Sequence, residues 1–211
     1  MMKLLPTLLS ILISTTLFAQ NTTDAIAGEY HLQGVMETAS AILLKPDNTF
    51  EIFFSYGAMD RQGSGKWALD NGKIILNSRT RPDADFSLIS SKMEADSFTT
   101  VKIVDQNTQL LPHFEALIKT KDGEKYGKMN QEGIYQIPKT KTSAIELFFN
   151  FAPERYSSFP VKTDDNYFEF KIEPWIVEIF VENVVLSVSK KGLTGEHPLL
   201  KGNAFSYVKM K

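Results

Sequence analysis

Two acid–arginine pairs are the residues whose types and spacing could carry out chemistry in this chain. Asp60-Arg61 follows Tyr56, and Glu154-Arg155 follows a similar segment later in the sequence. An aromatic ring, a carboxylate acceptor and a guanidinium that donates two hydrogen bonds at once can together form a recognition surface. We therefore predict a ligand-binding edge at the first pair. The opposing interpretation is that each pair only solubilises a loop, because an exposed ion pair contributes about 0–1 kcal/mol.

Two further arginines extend the predicted binding edge. Arg79 and Arg81 precede Pro82 and could supply positive charge for an anionic ligand. Trp67 is another candidate for stacking on a ligand, but its position is more typical of an aromatic plug inside a small barrel. The predicted ligand-binding residues are Tyr56, Asp60, Arg61, Arg79 and Arg81.

The sequence contains no recognisable catalytic or metal-binding motif. Its three histidines, His31, His113 and His197, are too far apart for the ligand spacing of a zinc site, and His197 precedes a proline in a loop where we expect it to be solvated. Ser64 lies between two glycines without the strand-to-helix turn that a nucleophilic serine needs. We predict no catalytic residues, no metal and no cofactor. Paired carboxylates among the 25 acidic residues would leave no pattern in the sequence, so a hydrolase stays open as an alternative.

The first residues predict export. Lys3 precedes an apolar run at residues 4–18, and Ala19 then precedes Gln20, a pattern that resembles exported bacterial proteins. The run is too short for a transmembrane helix, so we interpret residues 1–19 as a Sec signal peptide and expect no transmembrane segment after cleavage. The chain has no cysteine, which excludes a lipobox anchor, a disulfide framework and a cysteine nucleophile. The predicted location is the periplasm or the extracellular space.

The charge of the chain argues against nucleic acid as a partner. With 23 basic and 25 acidic residues the net charge is −2, and loss of Lys3 with the signal peptide leaves 22 against 25, or −3. A mildly acidic protein has no electrostatic attraction to a polyanion.

A repeated aromatic segment organises the strand pattern. Residues 50–56 (FEIFFSY) are echoed by residues 145–151 (IELFFNF), and in both the apolar side chains alternate as in a strand with one buried face. Each copy places one phenylalanine, Phe53 or Phe148, on the otherwise polar face. We therefore predict that Phe53 and Phe148 pack between two modules or against a partner, although both faces of each strand could instead be covered within its own module.

The first half of the chain reads as a β-meander. Asp70-Asn71-Gly72 is a strong hairpin signal because Asn-Gly readily adopts positive φ, whereas residues 62–65 (QGSG) are expected to break the preceding strand. The order G-x-Y, D-N-T-F, G-x-G-K-W, N-G, I-I-L over residues 25–90 resembles the lipocalin-like β-meander of bacterial envelope proteins. We assign residues 25–93 to this first domain.

The second half reads as a β-sandwich after a polar linker at residues 91–97. The segments VKIVD, LPHFEALIKT, DG and GKMNQEGIYQI are similar to carboxypeptidase-regulatory-like (prealbumin-type) sandwiches, although Met129-Asn130 stands where that family usually has Thr-Asp. We assign residues 97–211 to this domain. The high content of isoleucine and valine in residues 175–188 predicts strand and not helix, so the fold class is all-β.

These observations predict an exported, non-enzymatic protein of two β-modules. The resemblances imply that it binds a partner protein, a glycan or a small ligand in the bacterial cell envelope. Two alternatives remain: a lipocalin-type carrier of a small apolar ligand, and an envelope hydrolase whose site the sequence does not reveal.

Overall fold

The computed structural model describes residues 25–57 and 59–211, apart from the side chain of Asn203. These residues form an all-β protein, as the sequence predicted. The predicted signal peptide at residues 1–19 lies outside the described residues. The strands in chain order are β1 (Gly28–Gln33), β2 (Thr38–Leu44), β3 (Thr49–Tyr56), β4 (Met59–Asp70), β5 (Lys73–Ser78), β6 (Phe86–Lys92), β7 (Phe98–Val104), β8 (Phe114–Thr120), β9 (Gly123–Lys128), β10 (Ile134–Pro138), β11 (Thr142–Phe149), β12 (Tyr156–Pro160), β13 (Tyr167–Ile172), β14 (Val184–Ser189), β15 (Gly192–His197) and β16 (Leu200–Lys209). Short 3-10 helices occupy Thr108–His113 and Pro174–Val177.

The first compact unit is a closed antiparallel barrel. It combines residues 25–57 and 59–81 with Ile179–Lys211, and its strand order is β1-β16-β15-β14-β5-β4-β3-β2. The predicted hairpin joins β4 to β5, with Asp70 opposite Lys73 and with positive φ at Asn71 and Gly72. Alternation along β3 directs Phe50, Ile52 and Phe54 into the core, as expected. Trp67 is buried in the same core, as expected of a barrel plug.

The second compact unit, Pro82–Glu178, is a β-sandwich inserted between β5 and β14. Its sheets have the orders β10-β7-β13-β6 and β12-β11-β8-β9. Rings from the two sheets meet in the core: Phe86 of β6 lies edge-on to Phe114 of β8, with centroids 5.6 Å apart, and Phe159 of β12 lies 4.8 Å from Phe170 of β13. Such packing of two inner faces is what holds a sandwich together.

The units do not follow the domain boundaries that the sequence predicted. The predicted division was 25–93 and 97–211, whereas the chain leaves the barrel after Arg81 and returns at Ile179. Residues 91–97, predicted to be a linker, lie inside the sandwich unit at the end of β6 and in the connection to β7. The prediction failed because strand patterns are local, whereas closure of the barrel depends on pairing between β1 and β16 at opposite ends of the chain.

The returning chain fills a gap beside β4. The Ile179 amide donates to the Gln62 carbonyl at 2.7 Å, the Ser78 amide donates to the Val181 carbonyl at 2.9 Å, and both Ile179 and Val181 are buried in the barrel core. Gly63 makes this approach possible, because a Cβ atom there would lie 2.2 Å from the Ile179 carbonyl oxygen. The glycines at 63 and 65 therefore do not break the strand, as the sequence suggested, but let another segment approach it closely.

Replacing Gly63 with alanine should therefore destabilise the barrel. The added methyl group would overlap backbone that has no room to move, and overpacking of this kind costs about 1–3 kcal/mol. Ser64→Ala is the matched control, because Ser64 is exposed on the same strand and its loss should change the free energy of unfolding by less than about 0.5 kcal/mol. Urea denaturation measures both, and equal midpoints for the two variants would show that the returning segment does not constrain Gly63.

Candidate functional site

The outer face of the sheet β12-β11-β8-β9 carries a group of exposed aromatic rings. On β11 the side chains of Ile145, Leu147 and Phe149 are buried, while Phe148 points to the opposite face and is only half-buried. This confirms the alternation predicted for the repeated segment. Phe148 lies opposite Tyr156 of β12 on one side and opposite Glu115 of β8 on the other.

Three rings make up this surface, which we call the aromatic platform: Tyr126, Phe148 and Tyr156. The Phe148 and Tyr156 rings are stacked, with centroids 5.6 Å apart and an interplanar angle of 27°, and Tyr126 lies edge-on to Phe148 at 6.3 Å. Tyr126 and Tyr156 remain 57% and 54% exposed. From β12 to β9 the sheet is about 14 Å wide, which is longer than a single sugar ring. An exposed aromatic surface of this kind on a packed sandwich is a candidate binding site.

Charged side chains surround the aromatic platform. The Tyr126 hydroxyl donates to the Glu115 carboxylate, and Lys128 lies 3.8 Å from the same carboxylate. Lys119 and Glu146 form an ion pair at 2.6 Å, and this hydrogen bond raises the pKa of Lys119, so the lysine stays charged at neutral pH. The rim therefore offers both acceptors and donors beside flat apolar rings. This combination suits a ligand with apolar faces and many hydroxyl groups.

The first acid–arginine pair does not form the exposed edge that the sequence predicted. Tyr56 is 58% exposed and Asp60 is exposed, both beside the turn between β3 and β4. Arg61, however, is only 4% exposed and lies opposite the buried Phe54. The prediction of Arg61 as an exposed donor is therefore wrong, because the alternation of β4 turns its side chain away from solvent.

The second acid–arginine pair is a structural clamp within the sandwich unit. Arg155 is 8% exposed, and its Nε lies 3.1 Å from the Asp85 carboxylate. Its guanidinium also donates to the carbonyls of Trp175, Ile176 and Glu178. Arg155 thus joins the entry and exit segments of the inserted unit. The interpretation that this pair only solubilises a loop is wrong for Arg155.

Arg79, another predicted arginine, lies away from the β3–β4 turn. Arg79 directly follows Ser78, which pairs with Gly65 of β4. Asp60 lies five residues before Gly65 on the same strand, which separates these two positions by roughly 16 Å. Arg79 is exposed, and its guanidinium lies 5.0 Å from the centre of the Phe180 ring, while Arg81 is half-buried. The structure therefore does not bring Arg79 and Asp60 together into one surface.

Phe53 lies on the outer face of the barrel. It is half-buried and pairs with Ala41 of β2 and Gln62 of β4. Phe148 belongs to the other unit and packs against the two tyrosines of the aromatic platform. A mutual interface between Phe53 and Phe148 stays a prediction.

His197 is buried in the barrel, so the expectation that it is solvated is wrong. It is 4% exposed and lies among Phe54, Phe205 and Tyr207. Burial lowers its pKa from 6.5 to about 4, which keeps the ring neutral at pH 7.

His197 and the neighbouring Ser40 resemble a catalytic base and its serine nucleophile. The Leu199 amide donates to His197 Nδ1 at 3.0 Å, so Nε2 carries the proton and donates to Ser40 Oγ at 3.1 Å. Ser40 in turn donates to the Phe53 carbonyl at 2.8 Å. A ring nitrogen that already carries a proton cannot remove one from the serine. The pair is therefore a satisfied polar group of the core and not a nucleophile with its base.

The described residues provide neither a metal-binding cluster nor a membrane-spanning helix. Within residues 25–57 and 59–211, no three histidine or acidic side chains converge in a way that could hold a metal ion. Among the helices in that same part of the chain, none is long and apolar enough to cross a membrane.

Sequence reasoning identified only one residue of the aromatic platform, Phe148. Tyr126 is a lone aromatic in a strand whose other side chains are charged, and Tyr156 follows the clamp arginine directly. The sequence signal that could have identified Tyr126 is an isolated aromatic residue in an otherwise polar strand. Comparison of the chain with protein-family models, with curated proteins and with solved structures finds no match.

Proposed function

We propose that this protein is an exported, non-enzymatic glycan-binding protein of the cell envelope, and that the aromatic platform holds the glycan. The observation that carries the proposal is the row of Tyr126, Phe148 and Tyr156 on one face of a sheet, bordered by carboxylates and lysines. Sugar rings have apolar C–H faces that stack on aromatic rings and hydroxyl edges that bond to charged side chains. The platform offers both kinds of contact in one plane.

The shape of the platform favours an extended glycan. Its rings lie on a sheet face and not in a closed pocket, and it is wider than one sugar ring. A β-1,4-linked chain is a flat ribbon that can contact all three rings at once, whereas an α-1,4-linked chain curves away. We therefore assign the ligand class as a β-1,4-linked oligosaccharide.

The other functions considered from the sequence receive less support. A carrier of an apolar ligand needs room in the barrel, but the interior holds large buried side chains such as Phe50, Trp67 and Tyr207, and the returning Ile179. A hydrolase needs an activated group, and His197 with Ser40 is not one. Binding of a partner protein at the exposed Tyr56 and Asp60 remains the second candidate, because that turn presents an exposed ring beside a carboxylate.

The resemblance of the two units to binding modules agrees with this proposal. Residues 25–90 resemble the lipocalin-like meander, and segments within residues 97–211 are similar to the carboxypeptidase-regulatory-like (prealbumin-type) sandwich. The resemblance to the second class implies a binding or structural module, which agrees with a role in binding.

Titration calorimetry with cellohexaose, N-acetylchitohexaose and maltohexaose tests the proposal. At least one β-1,4-linked probe should bind, and Tyr126→Ala or Tyr156→Ala should weaken it at least about tenfold, as expected for a central aromatic contact. Tyr56→Ala is the matched control, because Tyr56 is equally exposed on the barrel. Failure of both β-1,4-linked probes to bind, or a loss with Tyr56→Ala equal to that with Tyr156→Ala, would reject the aromatic platform as the site.

A further inference from the structure

A second candidate site lies on the barrel, distinct from the aromatic platform. A cleft of about 550 Å³ opens beside the start of β3, the middle of β4 and the end of β5. We call it the basic cleft, and its lining includes the charged residues Lys45, Glu51, Lys66 and Arg79 and the polar residues Ser64 and Asn77. Its volume falls in the range of small-molecule sites, about 300–1,000 Å³.

The backbone at Gly65 brings two of the strands that line the cleft close together. Gly65 lines it, and a Cβ atom there would lie 2.1 Å from the Asn77 carbonyl oxygen and 2.8 Å from the Phe50 ring. Because Gly65 has no side chain, β4 and β5 approach closely here. Beyond this point the returning chain lies between them, since Val181 accepts from Ser78 and Ile179 donates to Gln62.

The lining of the basic cleft carries a surplus of positive charge. Three basic side chains face one carboxylate, on a protein whose net charge is −2. Lys45 and Glu51 pair at 2.5 Å and offset each other. Lys66 forms no ion pair with any residue that the structure describes, and it lies between Thr49 and Asn77 on the neighbouring strands. An anion that enters the cleft would meet this lysine without having to break an existing pair.

The polar groups beside Lys66 point to a ligand with hydroxyl groups as well as a charge. Ser64 offers a hydroxyl group, and Asn77 is held in place because its Oδ1 accepts from the Asn183 amide at 2.7 Å. That contact leaves the Asn77 amide N–H groups as donors. We propose that the basic cleft binds an acidic sugar, a ring that carries a carboxylate or a phosphate.

Nuclear magnetic resonance of the full chain, labelled with ¹⁵N, tests the basic cleft with three probes: glucuronate, glucose 6-phosphate and neutral glucose. At least one acidic probe should shift the amides of Ser64, Gly65 and Lys66 at millimolar concentration, and glucose should not. Preference for glucuronate identifies the charged group as a carboxylate, and preference for glucose 6-phosphate identifies it as a phosphate. Equal shifts with glucose, or no shifts in the cleft with either acid, would overturn the proposal.

Two substitutions should change the affinity in opposite directions. Lys66→Ser removes the lysine that has no ion-pair partner and should weaken binding of the acidic probe at least about tenfold. Glu51→Gln removes the competing carboxylate and should strengthen binding severalfold. Lys73→Ser, at the other end of β5, is the matched control and should leave the affinity unchanged. Wild-type affinity in Lys66→Ser would contradict the proposal, and because that side chain is exposed the variant should fold normally.

Discussion

Replacing Arg155 with methionine should lower the free energy of unfolding of the sandwich unit by about 3–5 kcal/mol. The change leaves the carboxylate of Asp85, 2% exposed, without the guanidinium that neutralises it. It also removes the donors to the carbonyls of Trp175, Ile176 and Glu178. A buried carboxylate that loses a guanidinium loses a large part of the interaction that offsets its removal from water, and this is why the effect should be large.

Hydrogen exchange measured peptide by peptide can assign this loss to the correct unit. Exchange should accelerate in peptides from residues 82–178, while the barrel peptides serve as an internal reference. Lys102→Met is the matched control, because Lys102 and Glu169 form a more exposed pair at 3.2 Å that should contribute less than about 1 kcal/mol. Adding Asp85→Leu to the Arg155 variant should recover part of the loss. If Arg155→Met and Lys102→Met had equal effects, Arg155 would not be a clamp.

The barrel should lose stability as the pH falls from about 6.5 to about 4. The pKa of His197 is about 4 in the folded protein, where burial disfavours the imidazolium, against 6.5 in the unfolded chain. Between these values the unfolded state binds a proton that the folded state does not, so acid favours unfolding. The difference between the two pKa values corresponds to about 3 kcal/mol in the free energy of unfolding. This contribution is fully present above pH 6.5 and is lost by pH 4.

Urea denaturation at a series of pH values measures this dependence. His197→Gln should reduce the decrease in the free energy of unfolding between pH 6.5 and 4, whatever the substitution does to stability at pH 7. Ser64→Ala is the control, because it removes no titratable group from the exposed face of β4 and should leave the slope as in the wild type. A wild-type slope in His197→Gln would mean that other groups cause the acid sensitivity.

The sequence was sufficient where structure depends on neighbouring residues. The alternation in β3 and β11, the hairpin at Asn71-Gly72 and the all-β class follow from side-chain period and turn chemistry.

The sequence was insufficient where structure depends on distant partners. Residues 175–188 were predicted as strand, but Pro174–Val177 form a 3-10 helix whose carbonyls bind Arg155, and only Val184–Ser189 pair in a sheet. His197 is buried because neighbouring groups satisfy both ring nitrogens, which its loop-like sequence does not indicate. The aromatic platform combines Tyr126, Phe148 and Tyr156 from three strands, so no local pattern could identify it.

The central claim is that the aromatic platform is the ligand-binding surface. The most direct measurement is the ring ¹H–¹³C spectrum of aromatic-labelled protein during titration with the β-1,4-linked hexasaccharide that binds more tightly. Signals of Tyr126, Phe148 and Tyr156 should shift together, with one dissociation constant, while those of Tyr56 stay in place. Shifts confined to Tyr56 and other barrel rings, with the three platform rings unchanged, would contradict the claim.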